Sequence, residues 1–442
     1  MKSLSISPGL LPQWLKAVAV SLPVLAVQVA VTSSLPSVAV AEESKPQEKT
    51  RRTPALRNKV YEKLSEAQKA SEEELYDEAL VILDELKGRT GKRALNSYEL
   101  ANVYNLYAFI YYTREQFDRA LKAYQSIVVQ SDIPVALETN TRYTIAQLLM
   151  LQERWKEGVE ELNRWFAMSS NQSASAYILR GQAYYQLKQY DNSLRDMEKA
   201  IAMNRAKGKP PKEQWLGLVR FLHYEKGNFP KVIEVLEELL VLYPKKDYWV
   251  QLSHMYGELG KESKQMSAME SAYLQGFLTR ESELLNMAYL YLSAEVPLKS
   301  GMLLEKAMKA GQVKRTAKNM ELLASSWRRA QELDKAIVAM RDAAGKSNKG
   351  ELWAQLGNIY VDKEEYGKAI EAITSGLKKG GVKRPDSARL SLGMAYFNTK
   401  KYRDARKAFN DAKKDKRSKK YADQWLKYMA REIAREKSLQ SG

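Results

Sequence analysis

The sequence predicts an all-α solenoid built from helix-turn-helix repeats. Three observations carry this. First, Glu351–Gly376 places Trp353, Leu356, Gly357 and Tyr360 on one helical face, and Tyr366 and Ala369 on a following helix. Second, the same order returns at once as Arg389, Leu392, Gly393, Tyr396, Tyr402, Ala405, Phe409 and Ala412. Third, small residues recur at two fixed places along most of the chain, where one helix must lie close against another.

Ten repeats can be laid end to end on that register. The place of Gly357 is taken by Ala67, Ala108, Ala146, Gly181, Arg220, Ser253, Ala288, Ala324, Gly357 and Gly393 in turn. The place of Ala369 is taken by Ala79, Ala120, Gly158, Ser193, Val232, Gln265, Ser300, Ala336, Ala369 and Ala405. Arg220, Val232 and Gln265 depart from the rule, so the register is least defined over 213–279. Pro134 and Pro244 stand where repeats end. Gly88–Leu95, Ser169–Ser173 and Arg205–Lys212 read as inserted loops. Lys413–Lys420 reads as a charged turn, and Tyr421–Lys437 as a last amphipathic helix with Trp425 and Met429 inward. A single last helix is what a stack of repeats needs to cover its open end.

The pattern resembles the tetratricopeptide repeat, a helix-turn-helix unit of about 34 residues. The resemblance implies a right-handed superhelix whose first helices line a concave groove. The expected organisation is a secretory signal over 1–41, a polar linker over 42–56, the repeat array over 57–419, a capping helix over 420–437 and a tail over 438–442. Lys2 and Lys16, the apolar run Ala17–Val31 and the small-x-small site Ala39-Val40-Ala41 are the marks of the signal, with cleavage expected after Ala41. That run is shorter than the roughly 20 apolar residues a spanning helix needs. No later segment is apolar enough to span a membrane, so the mature chain is expected in the periplasm. An uncleaved membrane anchor is the alternative.

Composition removes several functions. The chain has no cysteine, which excludes disulfides, thiolate metal sites, cysteine nucleophiles and a lipid-modified cysteine. The two histidines, His223 and His254, fall on first helices of adjacent repeats, with no carboxylate at ligand spacing. Ala344-Gly345-Lys346-Ser347 ends like a phosphate loop, but Met340 stands where that loop needs glycine. No serine sits in Gly-x-Ser-x-Gly. No catalytic set, cofactor site or small-molecule substrate is expected. The net charge of +18 suggests an anionic partner or surface, although a high lysine count is also how an elongated protein stays soluble, and that is the favoured reading. Acidic runs such as Glu72-Glu73-Glu74 and Glu364-Glu365 interrupt a uniform basic face, and export argues against nucleic acid.

By the family resemblance, four places on each first helix face the groove. These give Asn102, Asn105, Phe109 and Tyr112, then Tyr143, Gln147 and Met150, then Ile178, Gln182 and Tyr185, then Phe221 and Tyr224. Amides can bond a peptide backbone, and aromatic rings supply apolar area at low entropy cost. The eighth repeat offers Lys318, Glu321, Ser325 and Arg328 instead. The lysine–asparagine clamp for a terminal carboxylate is not matched in any one repeat pair.

Two stretches are similar to the exported tetratricopeptide protein associated with some TonB energy-transduction systems of Gram-negative bacteria. One is Arg52-Thr53-Pro54-Ala55-Leu56-Arg57 leading into Val60-Tyr61-Glu62-Lys63-Leu64. The other is Asn96-Ser97-Tyr98-Glu99 with Ala101-Asn102 and Tyr104-Asn105. The resemblance implies a scaffold accessory to a TonB–ExbB–ExbD complex serving outer-membrane uptake of nutrients such as iron chelates. A scaffold for peptidoglycan or outer-membrane assembly, and a binder of an anionic polymer, are the alternatives.

Overall fold

The structure is a computed structural model that describes residues 55–441. The expected signal (1–41) and all but the end of the expected linker lie outside the described residues. Among those described there are twenty-one α-helices and no strand. They form ten antiparallel pairs and one last helix.

The chain divides into two compact units, one running to Val235 and one from Leu236. The first holds α1 (Asn58–Glu72) with α2 (Tyr76–Lys87), α3 (Ser97–Thr113) with α4 (Phe117–Val128), and α5 (Val135–Leu151) with α6 (Trp155–Met168). It continues with α7 (Ala174–Gln186) and α8 (Tyr190–Ala206), then α9 (Glu213–Glu225) and the first half of α10 (Phe229–Leu242). The second unit holds α11 (Lys246–Glu258) with α12 (Glu262–Leu274), α13 (Glu281–Ser293) with α14 (Pro297–Lys309), and α15 (Ala317–Arg329) with α16 (Leu333–Gly345). After these come α17 (Glu351–Asp362) with α18 (Tyr366–Lys379), α19 (Pro385–Asn398) with α20 (Tyr402–Lys413), and α21 (Lys416–Ser441).

The turn inside each pair fixes the register. One residue per pair is left-handed: Glu74, Glu115, Glu153, Lys188, Gly227, Gly260, Glu295, Gln331, Glu364 and Lys400. Each stands seven residues after the Gly357 place of its repeat, so all ten repeats hold, including those over 213–279. In that region the left-handed residue is glycine, the cheapest choice for positive φ.

The small residues act as the spacing requires. A Cβ on Gly357 would stand 2.3 Å from Ile373 Cγ1, and one on Gly393 would stand 2.5 Å from Phe409 Cε1. Where serine replaces the small residue, its hydroxyl bonds the facing helix. Ser193 donates to the Gly181 carbonyl (2.7 Å), Ser300 to Ala288 (3.0 Å) and Ser253 to Gln265 (2.9 Å). The hydroxyl is thereby satisfied inside the packed pair, as burial demands.

Each unit buries its apolar faces in continuous clusters. In the first unit Leu83, Leu86, Ile110, Ile127, Ile145 and Leu148 are fully buried. In the second, Leu284, Met287, Leu304, Trp327 and Ile359 belong to one cluster. Long-range polar contacts tie neighbouring repeats. Arg114 pairs with Asp77 at 2.7 Å, and Gln152 donates to Asp118 at 2.9 Å. Lys226 pairs with Asp191 and Lys363 with Asp334 in the same relation. Being exposed, such pairs add little energy each, and serve mainly to set register.

The end of the chain differs from the sequence expectation. Lys416–Lys420, read as part of a charged turn, forms the first turn of α21. Asp415 starts that helix, because its carboxylate accepts the Arg417 N–H at 2.9 Å. Met429 is buried and Trp425 stacks on Phe409, with ring centroids 5.7 Å apart. A buried carboxylate, Asp386, locks α19 to α21. It accepts Ser418 Oγ at 2.7 Å and pairs with Arg384 and Arg417.

Candidate functional site

The twelve groove candidates sit on α3, α5, α7 and α9, the first helices of repeats two to five. The structure sorts them by access. Asn105, Met150, Ile178 and Gln182 are buried, with Asn105 and Gln182 each 9 % exposed. Met150 fills the space over Gly158, where an added Cβ would meet its Cε at 2.6 Å. These four therefore contribute to helix packing. Asn102, Phe109, Tyr112, Tyr143, Gln147, Tyr185 and Phe221 are half-buried, and Tyr224 is 37 % exposed.

The rings are held in place. Tyr112 packs on Phe117 (5.7 Å between centroids), Tyr185 on Tyr190 (6.1 Å) and Tyr224 on Phe229 (6.0 Å). Each pair joins the end of a first helix to the start of the second helix of the same repeat. Phe397 and Tyr402 repeat the arrangement at 5.8 Å in the second unit. The sequence shows these aromatics, but not that they support each other five residues apart. Tyr185 also meets Phe221 edge-on at 5.6 Å, so two neighbouring repeats share a ring surface. Tyr143 leans on Trp165 at 5.2 Å. Burial pushes the hydroxyls of Tyr112, Tyr143 and Tyr185 above the usual phenol range, so they stay neutral and can donate.

The amides are less uniform. Asn102 Nδ2 donates to the Tyr98 carbonyl of its own helix at 2.8 Å. The Oε1 atom of Gln147 is buried and meets no donor among the described residues. Asn358 Oδ1, at the matching place in the ninth repeat, is in the same state. An unmet buried acceptor costs free energy in the folded chain. Sequence reasoning chose Gln147 but gave no reason to single out Asn358.

In the eighth repeat Arg328 pairs with Asp362 at 2.6 Å, and Glu321 accepts from Gln355 at 3.0 Å. Those polar groups are already engaged with the neighbouring repeat. A cleft of about 760 Å³ lies between α12 and α14, floored by Tyr291, Glu270 and Lys299. Glu270 accepts from both Tyr291 (2.8 Å) and Lys299 (2.7 Å), so the groups of the floor satisfy each other.

His223 is buried on α9 with its Nδ1 unmet, and its Nε2 lies 3.5 Å from Glu198. His254 is exposed on α11. Among the described residues no group of three His, Asp or Glu side chains is placed to hold a metal ion. Burial lowers the His223 pKa, opposed by Glu198 and assisted by Lys231 and Lys226. The unfolded chain then takes up this proton first. Stability from His223 is full above the ordinary value of about 6.5 and is lost as pH falls below it. We expect the first unit to melt at lower urea at mildly acidic pH than at neutral pH. His223→Leu should flatten that dependence, and an unchanged slope would count against the buried neutral form.

Models of the tetratricopeptide repeat match residues 174–206 and 355–420. The first span is the fourth helix pair, and the second runs from α17 through α20 into α21. No curated protein matches the chain. Among solved structures, the chain is similar to MamA at 21 % identity, over 38 % of this chain and 97 % of that one, with TM-score 0.33. It is similar to the TPR2AB-domain:pHSP90 complex of yeast Sti1 at 15 % identity, over 60 % and 98 %, with TM-score 0.31. It is also similar to Naa15/Naa10 bound to HypK-THB at 16 % identity, over 76 % and 52 %, with TM-score 0.40. The two family models, with the ten helix pairs of the chain itself, show a resemblance to the tetratricopeptide repeat superfamily. That fold defines a class of protein-interaction scaffold that is typically non-catalytic. Among the described residues no helix is long and apolar enough to cross a membrane.

Proposed function

We propose that this scaffold works in the periplasm as an accessory to a TonB–ExbB–ExbD complex, without chemistry of its own. It engages an extended segment of a partner protein along α3, α5, α7 and α9. The observation that carries the binding mode is the row of braced, accessible rings at the ends of successive first helices: Tyr112, Tyr185 and Tyr224. Rigid rings lose little entropy on binding. The periplasmic part rests on the signal pattern of residues 1–41. The TonB part rests on the resemblance carried by Arg52–Leu64 and Asn96–Asn105.

A photocrosslinker at Gln147 or Tyr224 should capture an inner-membrane protein of the TonB system from intact cells. Capture of cell-wall synthases alone would overturn the TonB reading in favour of envelope assembly. Asn102→Ala with Gln147→Ala should weaken capture by about thirty-fold, since anchors of this kind contribute on the order of 1 kcal/mol each. Helix content should not change, because both side chains are only half-buried. If Lys318→Ala with Arg328→Ala abolishes capture while the first pair does not, the binding surface is in the other half of the array.

A further inference from the structure

The positive charge of the chain is concentrated at one end. Residues 377–442 hold twenty Lys and Arg against seven Asp and Glu, a net of +13 out of +18 for the whole chain. The acids of this segment are nearly all neutralised within the fold. Asp386, Asp411, Asp415, Asp423, Glu432 and Glu436 pair with Arg384, Lys414, Arg417, Lys413, Arg435 and Lys400 respectively. Asp404 alone of the seven is exposed with no ion pair among the described residues, so what remains outward is predominantly cationic. This corrects the sequence reading of a charge interrupted everywhere by acids, which holds for the array but not for its last helices.

On α21 the cations are ordered. Lys416, Lys420, Lys427 and Arg431 are all exposed and have no ion-pair partner among the described residues. At 3.6 residues per turn they fall within about 60° of one another and extend over about 22 Å. Beside them, on one edge of the same helix, stand the exposed Tyr421 (59 %), Tyr428 (49 %) and Leu439 (75 %). The opposite face is spent on packing, through Ala422, Trp425, Met429 and Ile433. On α20, Arg403 and Lys407 are exposed and also unpaired among the described residues.

We infer that α21 docks the chain on an anionic phospholipid surface. The cation stripe is straight, and the one carboxylate on that face, Asp423, is neutralised by Lys413 at 2.5 Å, which suits a plane of phosphate headgroups. The edge of two tyrosines and a leucine suits the boundary between headgroups and acyl chains, where such rings concentrate. A nucleic-acid duplex would use the charge and leave Leu439 in water. A basic helix near an anionic leaflet gains attraction from each Lys or Arg, and salt screens it. This inference is independent of the partner proposed above, because it uses none of the groove residues.

The test is co-sedimentation of the full chain with vesicles of phosphatidylcholine alone or mixed with phosphatidylglycerol. Binding should require phosphatidylglycerol and weaken as salt is raised. The variant Lys416→Gln, Lys420→Gln, Lys427→Gln, Arg431→Gln should bind the mixed vesicles at least about ten-fold more weakly. A control that removes equal charge elsewhere, Lys199→Gln, Lys207→Gln, Lys209→Gln, Lys261→Gln, should bind as the parent does. All three proteins carry the same apolar N-terminal run, so its contribution cancels. Equal binding by the α21 variant and the parent, or equal loss in the control, overturns the inference. Tighter binding of the parent to duplex DNA than to mixed vesicles at one salt concentration also overturns it, and makes nucleic acid the partner.

Discussion

Gly350→Ala will open the ninth repeat. A Cβ at that position would lie 1.9 Å from the carbonyl oxygen of Gly376 and 2.9 Å from that of Gly380. The converse contact is as close, since a Cβ on Gly376 would stand 2.7 Å from the Gly350 oxygen and 2.8 Å from the Ala354 nitrogen. All these obstacles are backbone, so no side chain can rotate away. The start of α17 must move off the end of α18. That movement also stretches the bond from Gly350 N–H to the Gly380 carbonyl, now 2.7 Å. Overpacking in a core costs about 1–3 kcal/mol and sometimes more, and a lost backbone bond about 1 kcal/mol. We expect about 3 kcal/mol. In a repeat stack such a loss acts locally, so amide exchange should quicken in α17 and α18 before the rest of the second unit. Gly367→Ala is the opposite case. Nothing lies within 4 Å of its added Cβ and its φ is ordinary. That change should stabilise α18 by about 0.5–1 kcal/mol. If Gly350→Ala proves neutral, the two helices are not in backbone contact.

The contrast between Gly350 and Gly357 shows what a sequence can disclose. Gly357 sits at a recurring place on a helix face, so its role follows from the period. Gly350 and Gly376 lie outside that pattern, and their contact exists only once two helices are placed. The turns repeat as regularly as Gly357 but were not read from the sequence: Gly227 and Gly260 stand where Arg220 and Gln265 obscure the small-residue rule, and their positive φ shows that the register is preserved. The last helix was legible as an element but not at its start, because a run of lysines hides the capping role of Asp415. The groove was legible in outline. Residue type chose Asn105 and Gln182 alongside Gln147. Only packing separates two buried amides from one with an unmet oxygen. Charge was misread for want of location, since the acids near the end are absorbed by neighbours up to thirty-six residues away, as Glu436 is by Lys400.

Glu99→Gln will loosen the first repeat, and the two stretches that carry the TonB-system resemblance explain why. They are distant in sequence but joined in the fold at this one carboxylate, which is fully buried. Its Oε1 accepts the backbone N–H (3.0 Å) and Nε (2.8 Å) of Arg57, and its Oε2 accepts Arg57 Nη2 (2.6 Å) and the backbone N–H of Asn96 (3.0 Å). Asn96 completes the tie by accepting the Glu99 N–H and donating Nδ2 to the Ala55 carbonyl. The carboxylate thus caps α3 while anchoring the residue that begins α1. Breaking a buried ion pair costs about 3–5 kcal/mol, but the Arg57 side chain is 43 % exposed and water compensates it in part. We expect about 2 kcal/mol for Glu99→Gln, measured as a lower urea midpoint for the first unit at neutral pH. Burial pushes this carboxyl up, yet the bonds from Arg57 and Asn96 outweigh it and hold the net value below the usual glutamate range. A depressed acid stabilises fully above its unfolded value of about 4.3 and loses that stabilisation as pH falls through the folded value. The gap between parent and variant should therefore be constant near neutrality and close in acid. Arg57→Ala should cost less in the Glu99→Gln background than in the parent, the shortfall being the coupling between them. Additive costs, or a gap that widens in acid, would mean that α1 is held by its apolar face alone and that the two stretches meet without supporting each other.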